Sequence, residues 1–209
     1  MNLVIFGATG PSGRLIAEQA LEQGHNVTAF VRNPEALSIR NDKLSVAKGD
    51  ILDLASVDAA VAGKEAVLSA LGVRKLGKNT ILSDGTKNII TAMQKQGVKR
   101  FICMTSLGVG DSKDQPAWVF RYVIRPVFLR NIFVDKEVQE RLVMDSGLDW
   151  IIVRPAGLTN GPRTGIYKHW VGEPKEPITS RISRADVAEF MLKQLTDDSY
   201  LRKTPGQSY

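Results

Sequence analysis

A single cysteine, Cys103, stands among 209 residues, so no internal disulfide can staple the chain and a reducing compartment is the default. It lies in the apolar run Phe101-Ile102-Cys103-Met104, where a buried, inert thiol is expected. Only two histidines are present, His25 and His169, and no cluster of His, Cys and acids has metal-ligand spacing. Repeats, low-complexity tracts and linker-like stretches are absent. No block of five or six consecutive basic residues occurs, although Lys and Arg exceed Asp and Glu by six. That excess is compatible with a nucleic-acid surface, a membrane-surface patch, a pocket for anionic ligands or a plain solvated surface. The most apolar long stretch, Trp118 to Arg130, carries three arginines and a proline, which makes a transmembrane span costly. The first strand begins at residue 2, leaving no room for a signal peptide, so a cytoplasmic protein is expected.

What is present is organised around Gly7-Ala8-Thr9-Gly10-Pro11-Ser12-Gly13. The run Leu3-Val4-Ile5-Phe6 before it reads as a buried strand, and Leu15, Ile16, Ala20 and Leu21 after it recur at helical spacing. Glycines at G-x-x-G-x-x-G spacing allow a sharp turn, close approach of a diphosphate and tight helix-strand packing. Pro11 suits the first helical position, and the free N–H groups that follow attract an anion together with the helix dipole. Thr9 and Ser12 add hydroxyl donors. A second strand, Asn26 to Val31, completes a βαβ unit and ends on Arg32, where an NAD-specific protein usually carries an acid; an arginine there pairs with a 2′-phosphate and favours NADP(H).

Further strands are expected at 44–47, 66–72, 101–104 and 149–155, with helices between them and a short strand over 165–170. Their number and the chain length predict one α/β domain with a doubly wound parallel sheet. Several chemistry-bearing residues fall at the strand ends. Asp50 can cap the next helix or accept from an adenine amino group. Leu71-Gly72 and the basic loop containing Arg74 follow the fourth strand. Thr105 and Ser106 end the fifth, and Ser106 is expected to contact substrate by position. Residues 118–130 form a lid or pocket wall, a dimer face or an interfacial patch on anionic lipid; the lid comes first because the segment follows the proposed catalytic strand. Gly157 and Leu158, after the sixth strand, would form the other wall. Ser183 is expected to cap the last helix, with Asp186 in its first turn, and the tail from Leu201 to Tyr209 shows no strong pattern. Substrate-side elements are thus expected near 108–135 and 156–180.

The ensemble GATGPSG at residues 7–13, VRN at 31–33, GD at 49–50, ALG at 70–72, TS at 105–106, SGLDWIIVRP at 146–155 and RTG at 163–165 resembles the atypical short-chain dehydrogenase/reductase group. Within it the chain is most similar to the biliverdin reductase B and flavin reductase proteins. The resemblance covers nearly the whole chain. It implies a Rossmann-like fold and an NADPH-dependent reductase of flavins such as FMN and riboflavin, of some tetrapyrroles including biliverdin, and of quinones, with flavin as substrate rather than as a tightly bound prosthetic group. It implies cofactor contacts at Gly7, Thr9, Gly10, Pro11, Ser12, Gly13, Arg32, Asp50, Ile51, Leu71, Gly72, Arg74, Thr105, Lys136 and Pro155. Ser106 then becomes the catalytic candidate, and Ser106, Gly157 and Leu158 border the substrate. Two departures stand out. The wider superfamily protonates carbonyls with a Tyr-x-x-x-Lys pair, and here Ile132 stands four residues before Lys136. The vertebrate biliverdin reductase B proteins carry a histidine where this chain has Gly157. The partner expected is a small aromatic acceptor and not nucleic acid, with weak membrane-surface contact left open and a monomer or dimer equally compatible. An NADP(H)-sensing regulatory or assembly protein without turnover is the alternative.

Overall fold

The computed structural model describes residues 1–73, 77 and 79–209. Alternation within the first strand explains the layering. In β1 (Asn2–Phe6) Leu3 and Ile5 face one side of the sheet while Val4 and Phe6 face the other, and all four are fully buried. A strand apolar on both faces belongs at the centre of a parallel sheet with helices on each side. It is joined through α1 (Pro11–Glu22) to β2 (Asn26–Val31), and the chain continues outward to β3 (Leu44–Lys48) and α2 (Leu54–Val61). From there it crosses back to β4 (Ala66–Ser69), and α3 (Ile81–Gln96), β5 (Arg100–Met104), α4 (Arg130–Met144) and β6 (Asp149–Pro155) extend the sheet on the other side of β1.

After β6 come β7 (Gly157–Thr159), β8 (Lys168–Trp170), β9 (Arg181–Ser183), α5 (Arg184–Lys193) and β10 (Gly206–Ser208). The eight-stranded order is β3-β2-β1-β4-β5-β6-β10-β8, parallel except for β8 against β10, while β7 and β9 form a separate parallel pair. This is the Rossmann-like doubly wound sheet, and its order reverses between β1 and β4. Leu3 and Ile5 pack in one core with Ile16 and Ala20 of α1 and Val187 and Met191 of α5. On the opposite face Val4 and Phe6 share a core with Val57, Ile89, Met93 and Val143 from α2, α3 and α4.

Helix ends follow local chemistry, with one departure from expectation. Pro11 opens α1 and Ser183 caps α5 through the Asp186 N–H, as anticipated. Asp50 does not cap α2; Asp53 does, accepting from the Ala55 and Ser56 N–H groups, while Asp50 folds back on the Leu52 N–H in an Asx turn. The N-terminus of α3 is satisfied from another helix, because the buried Asp135 of α4 accepts from the Leu82 and Ser83 N–H groups. Gly97 ends α3 with φ of 71°, the left-handed conformation that suits a residue without Cβ.

The tail is the larger correction: Gly206–Ser208 is a fully buried strand between β6 and β8. Its residues are small or polar, so no hydrophobic alternation announces it. A Cβ on Gly206 would lie 2.6 Å from the Trp170 ring, which explains the glycine. The fourth strand stops at Ser69, short of Gly72, and only Lys168–Trp170 of the 165–170 stretch is extended. Among the described residues no helix is long and apolar enough to cross a membrane.

Candidate active site at the strand tips

Strand register places most of the singled-out residues along one edge. Phe6 pairs with Phe30 and with Ser69, Ser69 with Cys103, and Met104 with Val153. The segments that leave these positions are the glycine turn, Arg32, Ala70-Leu71-Gly72, Thr105-Ser106 and Pro155-Ala156-Gly157. All therefore emerge at the carboxyl ends of parallel strands, on either side of the switch between β1 and β4, where open α/β sheets take their ligands.

Packing accounts for part of the glycine pattern. Gly7 has φ of 84°, and a Cβ on it would lie 2.5 Å from the Ala70 carbonyl oxygen; a Cβ on Gly13 would lie 2.2 Å from the Gly7 oxygen. These two glycines let the turn fold onto β4 and let α1 seat on the turn. Among the described residues a Cβ at Gly72 would meet nothing within 4 Å, and at Gly10 it would meet only the Gly7 oxygen at 3.2 Å. The start of α1 has no side-chain cap, so its first N–H groups remain to be satisfied by water or an anion. Ser12 and Gly13 are buried at this end, while Thr9, Pro11 and Arg32 are exposed. The open space at Gly72 and the uncapped helix start fit a dinucleotide diphosphate.

Other candidates are placed differently. The Ile51 side chain is buried against Gly85, and its carbonyl accepts from Asn88 Nδ2 at 2.9 Å. Leu71 is half-buried on the core beneath the turn. Arg74 lies outside the described residues. Leu158 packs on the core from β7; a Cβ on Gly157 would lie 2.7 Å from the Ser180 oxygen, so the pairing of β7 with the 180 region itself demands glycine. His169 sits on β8, separated from β5 by β6 and β10, and bonds Tyr200 at 2.5 Å within an aromatic group that includes Tyr167 and Phe190. His25 bonds the terminal amine of Met1 at 3.2 Å. Neither histidine reaches the strand tips.

Beneath Thr105-Ser106 lies a buried polar network. Thr105 donates from its hydroxyl to Glu140 Oε1 at 2.6 Å, and Glu140 takes Arg154 in a two-pronged pair at 3.0 and 2.6 Å. Arg154 and Glu140 are both essentially inaccessible, and Arg154 extends to Asp111, which is exposed. Burial works against the arginine's charge, but the bonds from Glu140 and Asp111 outweigh it and raise its pKa. Lys136 donates to the Thr105 carbonyl oxygen at 3.0 Å. Desolvation lowers its pKa, opposed by Cys103, Glu140 and Asp135. Cys103 itself is buried and pushed up to about 12, chiefly by desolvation, which makes it inert. The Thr105 hydroxyl is thus engaged inward. Ser106, half-buried, donates only to the Leu107 carbonyl oxygen at 3.2 Å. The sequence reading missed Glu140 and Asp111; the signal was an acid one helical turn beyond Lys136, on the same face of α4.

A second feature is the arrangement around Asp186. It is fully buried and accepts from the Thr164 and Gly165 N–H groups, the Thr164 hydroxyl, Ser183 and Tyr209. The RTG stretch and the chain end are therefore tied to the first turn of α5. A cleft of about 340 Å³ lies between Gln23 at the far end of α1 and Glu189 and Lys193 of α5. One helix length, roughly 18 Å, separates it from the glycine turn.

The profile of the NAD(P)H-binding family matches residues 7–198. An uncharacterized chloroplastic protein of Arabidopsis thaliana is 32% identical over 94% of this chain and 72% of its own length. The photosystem II assembly factor Ycf39 of Synechocystis is 27% identical over 98% of this chain, which spans 61% of that protein. Among solved structures, ChuY, an anaerobillin reductase from Escherichia coli O157:H7, has a TM-score of 0.82 at 24% identity, covering 100% of this chain and 97% of that one; at that identity the likeness speaks to the fold. The chain has a Rossmann-like fold and belongs to the NAD(P)H-binding family.

Proposed function

We propose that this protein is an NADPH-dependent reductase that transfers hydride to a planar aromatic acceptor, with a flavin such as FMN or riboflavin as its first substrate class and biliverdin or a quinone next. The observation that carries the cofactor reading is Arg32, exposed at the tip of β2 beside the glycine turn of β1. A guanidinium there offers two parallel N–H donors to a 2′-phosphate. Bound NADPH supplies the hydride. The chain's own part would be to hold and align: the N–H groups at the start of α1 would receive the diphosphate, Gly10 and Gly72 would leave room for it, and Lys136, which donates to the Thr105 carbonyl, would help hold the cofactor. Ser106 offers a hydroxyl to the acceptor. Hydride transfer to a flavin ring needs stacking and alignment more than an acid, and its accompanying proton comes from water. This agrees with Ile132 standing where a carbonyl reductase needs tyrosine.

The test is NADPH oxidation with FMN, riboflavin, biliverdin and quinones, alongside Arg32→Ala and Ser106→Ala. Losing a charge-assisted phosphate contact of about 1.5–3 kcal/mol weakens NADPH binding roughly ten- to hundredfold and leaves NADH binding nearly unchanged. Equal losses for both cofactors overturn the assignment of Arg32, and an unchanged rate in Ser106→Ala removes Ser106 from the mechanism. A second reading, an NADP(H)-sensing assembly or regulatory protein, draws on Ile132 and on the likeness to Ycf39. It gains if NADPH binds and no acceptor is turned over.

A further inference from the structure

Residues 118–129 follow the Thr105-Ser106 tip by a short loop and wind into a helical segment whose ten-residue core, Phe120–Leu129, is of the wide π type with Pro126 inside. None of its side chains is buried. Its inner edge is fastened to the domain: Phe120 meets Phe133 edge-on, Arg125 donates to the Gly108 carbonyl oxygen at 3.1 Å, and Arg121 pairs with Asp114. The outer face is another matter. Trp118 is 69% exposed, Tyr122 66%, Val127 67% and Phe128 57%, with Val119 and Val123 exposed between them. Spacings of four to five residues, 118, 122–123 and 127–128, match the wide turn and put these side chains on one stripe. A contiguous apolar stripe of this kind marks a surface that something covers.

Charge selects the occupant. Between Asp114 and Asp135 the chain has three arginines, Arg121, Arg125 and Arg130, and no acid, on a protein of net charge +6. Arg121 and Arg125 are held at the inner edge by Asp114 and the Gly108 carbonyl, which leaves exposed Arg130 and the protein's positive charge to act at this face, and two copies meeting through it would bring like charge together. An anionic bilayer surface answers both features at once: tryptophan and tyrosine settle at headgroup depth, valine and phenylalanine enter the acyl boundary, and exposed Arg130 finds lipid phosphate. We infer that residues 118–130 dock the protein on the surface of an anionic lipid bilayer, lying in the interface without crossing it. The docking is independent of the cofactor reading.

The full chain is sedimented with vesicles of phosphatidylcholine alone and of phosphatidylcholine mixed with phosphatidylglycerol, at low and high salt, while tryptophan emission is recorded. Trp150 is buried and Trp170 is half-buried with its indole N–H donating to Gln115, so a blue shift on adding vesicles reports chiefly exposed Trp118. The expected result is partition onto the phosphatidylglycerol vesicles, weakened by salt as ionic screening requires. Trp118→Ser/Phe128→Ser should weaken it on the order of ten- to hundredfold, and Arg130→Gln about fivefold. Unchanged NADPH binding and thermal midpoint in the variants show that the fold is intact. The inference is overturned if the wild type stays in the supernatant, or if it partitions equally onto both vesicle types. It is also overturned if the double variant binds as well as wild type, or if light scattering shows a dimer that the double variant dissolves, which gives the face to a second copy instead.

Discussion

Replacing Glu140 with leucine should unfold the region beneath the Thr105-Ser106 tip more readily than any surface change. The carboxylate holds Arg154 by two bonds and takes the Thr105 hydroxyl as a third. Side-chain exposure is 2% for Arg154 and 3% for Glu140, so water cannot replace the lost partner. Removing one member of a buried ion pair costs about 3–5 kcal/mol, which for a chain of this size lowers the thermal midpoint by roughly 6–20 °C. Arg154→Met should cost a similar amount, because Glu140 is then left charged with only a hydroxyl. The double variant Glu140→Leu/Arg154→Met removes both charges of the pair together. Asp111, 70% exposed, simply rehydrates, and the one residual defect is the Thr105 hydroxyl, at about 1–3 kcal/mol. The double variant should therefore be more stable than either single one, with a coupling energy above about 2 kcal/mol. Urea unfolding followed by the emission of buried Trp150 measures all four proteins. If the double variant loses the sum of the two single losses, the pair is not coupled and the network as described is wrong.

Gly13→Ala, whose Cβ would fall 2.2 Å from the Gly7 oxygen, should lose at least about 1–3 kcal/mol to overpacking, whereas Gly72→Ala, with open space around it, should stay within about 0.5 kcal/mol of wild type and instead weaken NADPH binding. Calorimetry with a cofactor titration checks both, and a strongly destabilised Gly72→Ala would contradict the geometry. Burial alone would raise the Asp186 pKa, but the bonds from Gly165, Tyr209 and Thr164 win and hold it below its ordinary value of 3.8. Its contribution is therefore fully present above that value and lost as pH falls through the folded-state pKa. Asp186→Asn should be less stable by roughly 2–4 kcal/mol at neutral pH, a gap that denaturant midpoints should show narrowing only in acid; a gap constant down to low pH would sink this account.

The central sheet was legible because apolar runs such as Leu3–Phe6 and Phe101–Met104 have one physical explanation in a chain this short, and because Gly7, Gly24 and Gly97 punctuate them. What escaped had no local signature. Asp53 and Asp50 lie three residues apart, and the turn closed by the Asp53 N–H on the Asp50 carbonyl puts Asp53, not Asp50, at the start of α2. The strand Gly206–Ser208 is stabilised by backbone pairing to β6 and β8 and not by its side chains. Among site residues, those tied to backbone geometry, the glycines and Pro11, could be read from spacing. Glu140 and Arg154 could not, because their partnership joins α4 to β6 across 14 positions.

That partnership also bears on how the Thr105-Ser106 edge stays ordered. Thr105 and Ser106 are adjacent hydroxyl residues, yet one points inward to a buried carboxylate and the other is half-exposed at the edge. The Thr105 carbonyl is drawn to Lys136, its N–H donates to the Val153 oxygen at 2.8 Å, and the next amide but one, Leu107, donates to the Pro155 oxygen at 2.9 Å. Ser106 is thus flanked on both sides by backbone fixed to β6, and its own freedom is confined to the hydroxyl rotor. In the proposed hydride transfer between two flat rings, a rigid edge with one rotatable donor does more than a mobile acid would. The buried charges of Glu140 and Arg154 supply that rigidity from below the surface, where neither can touch an acceptor.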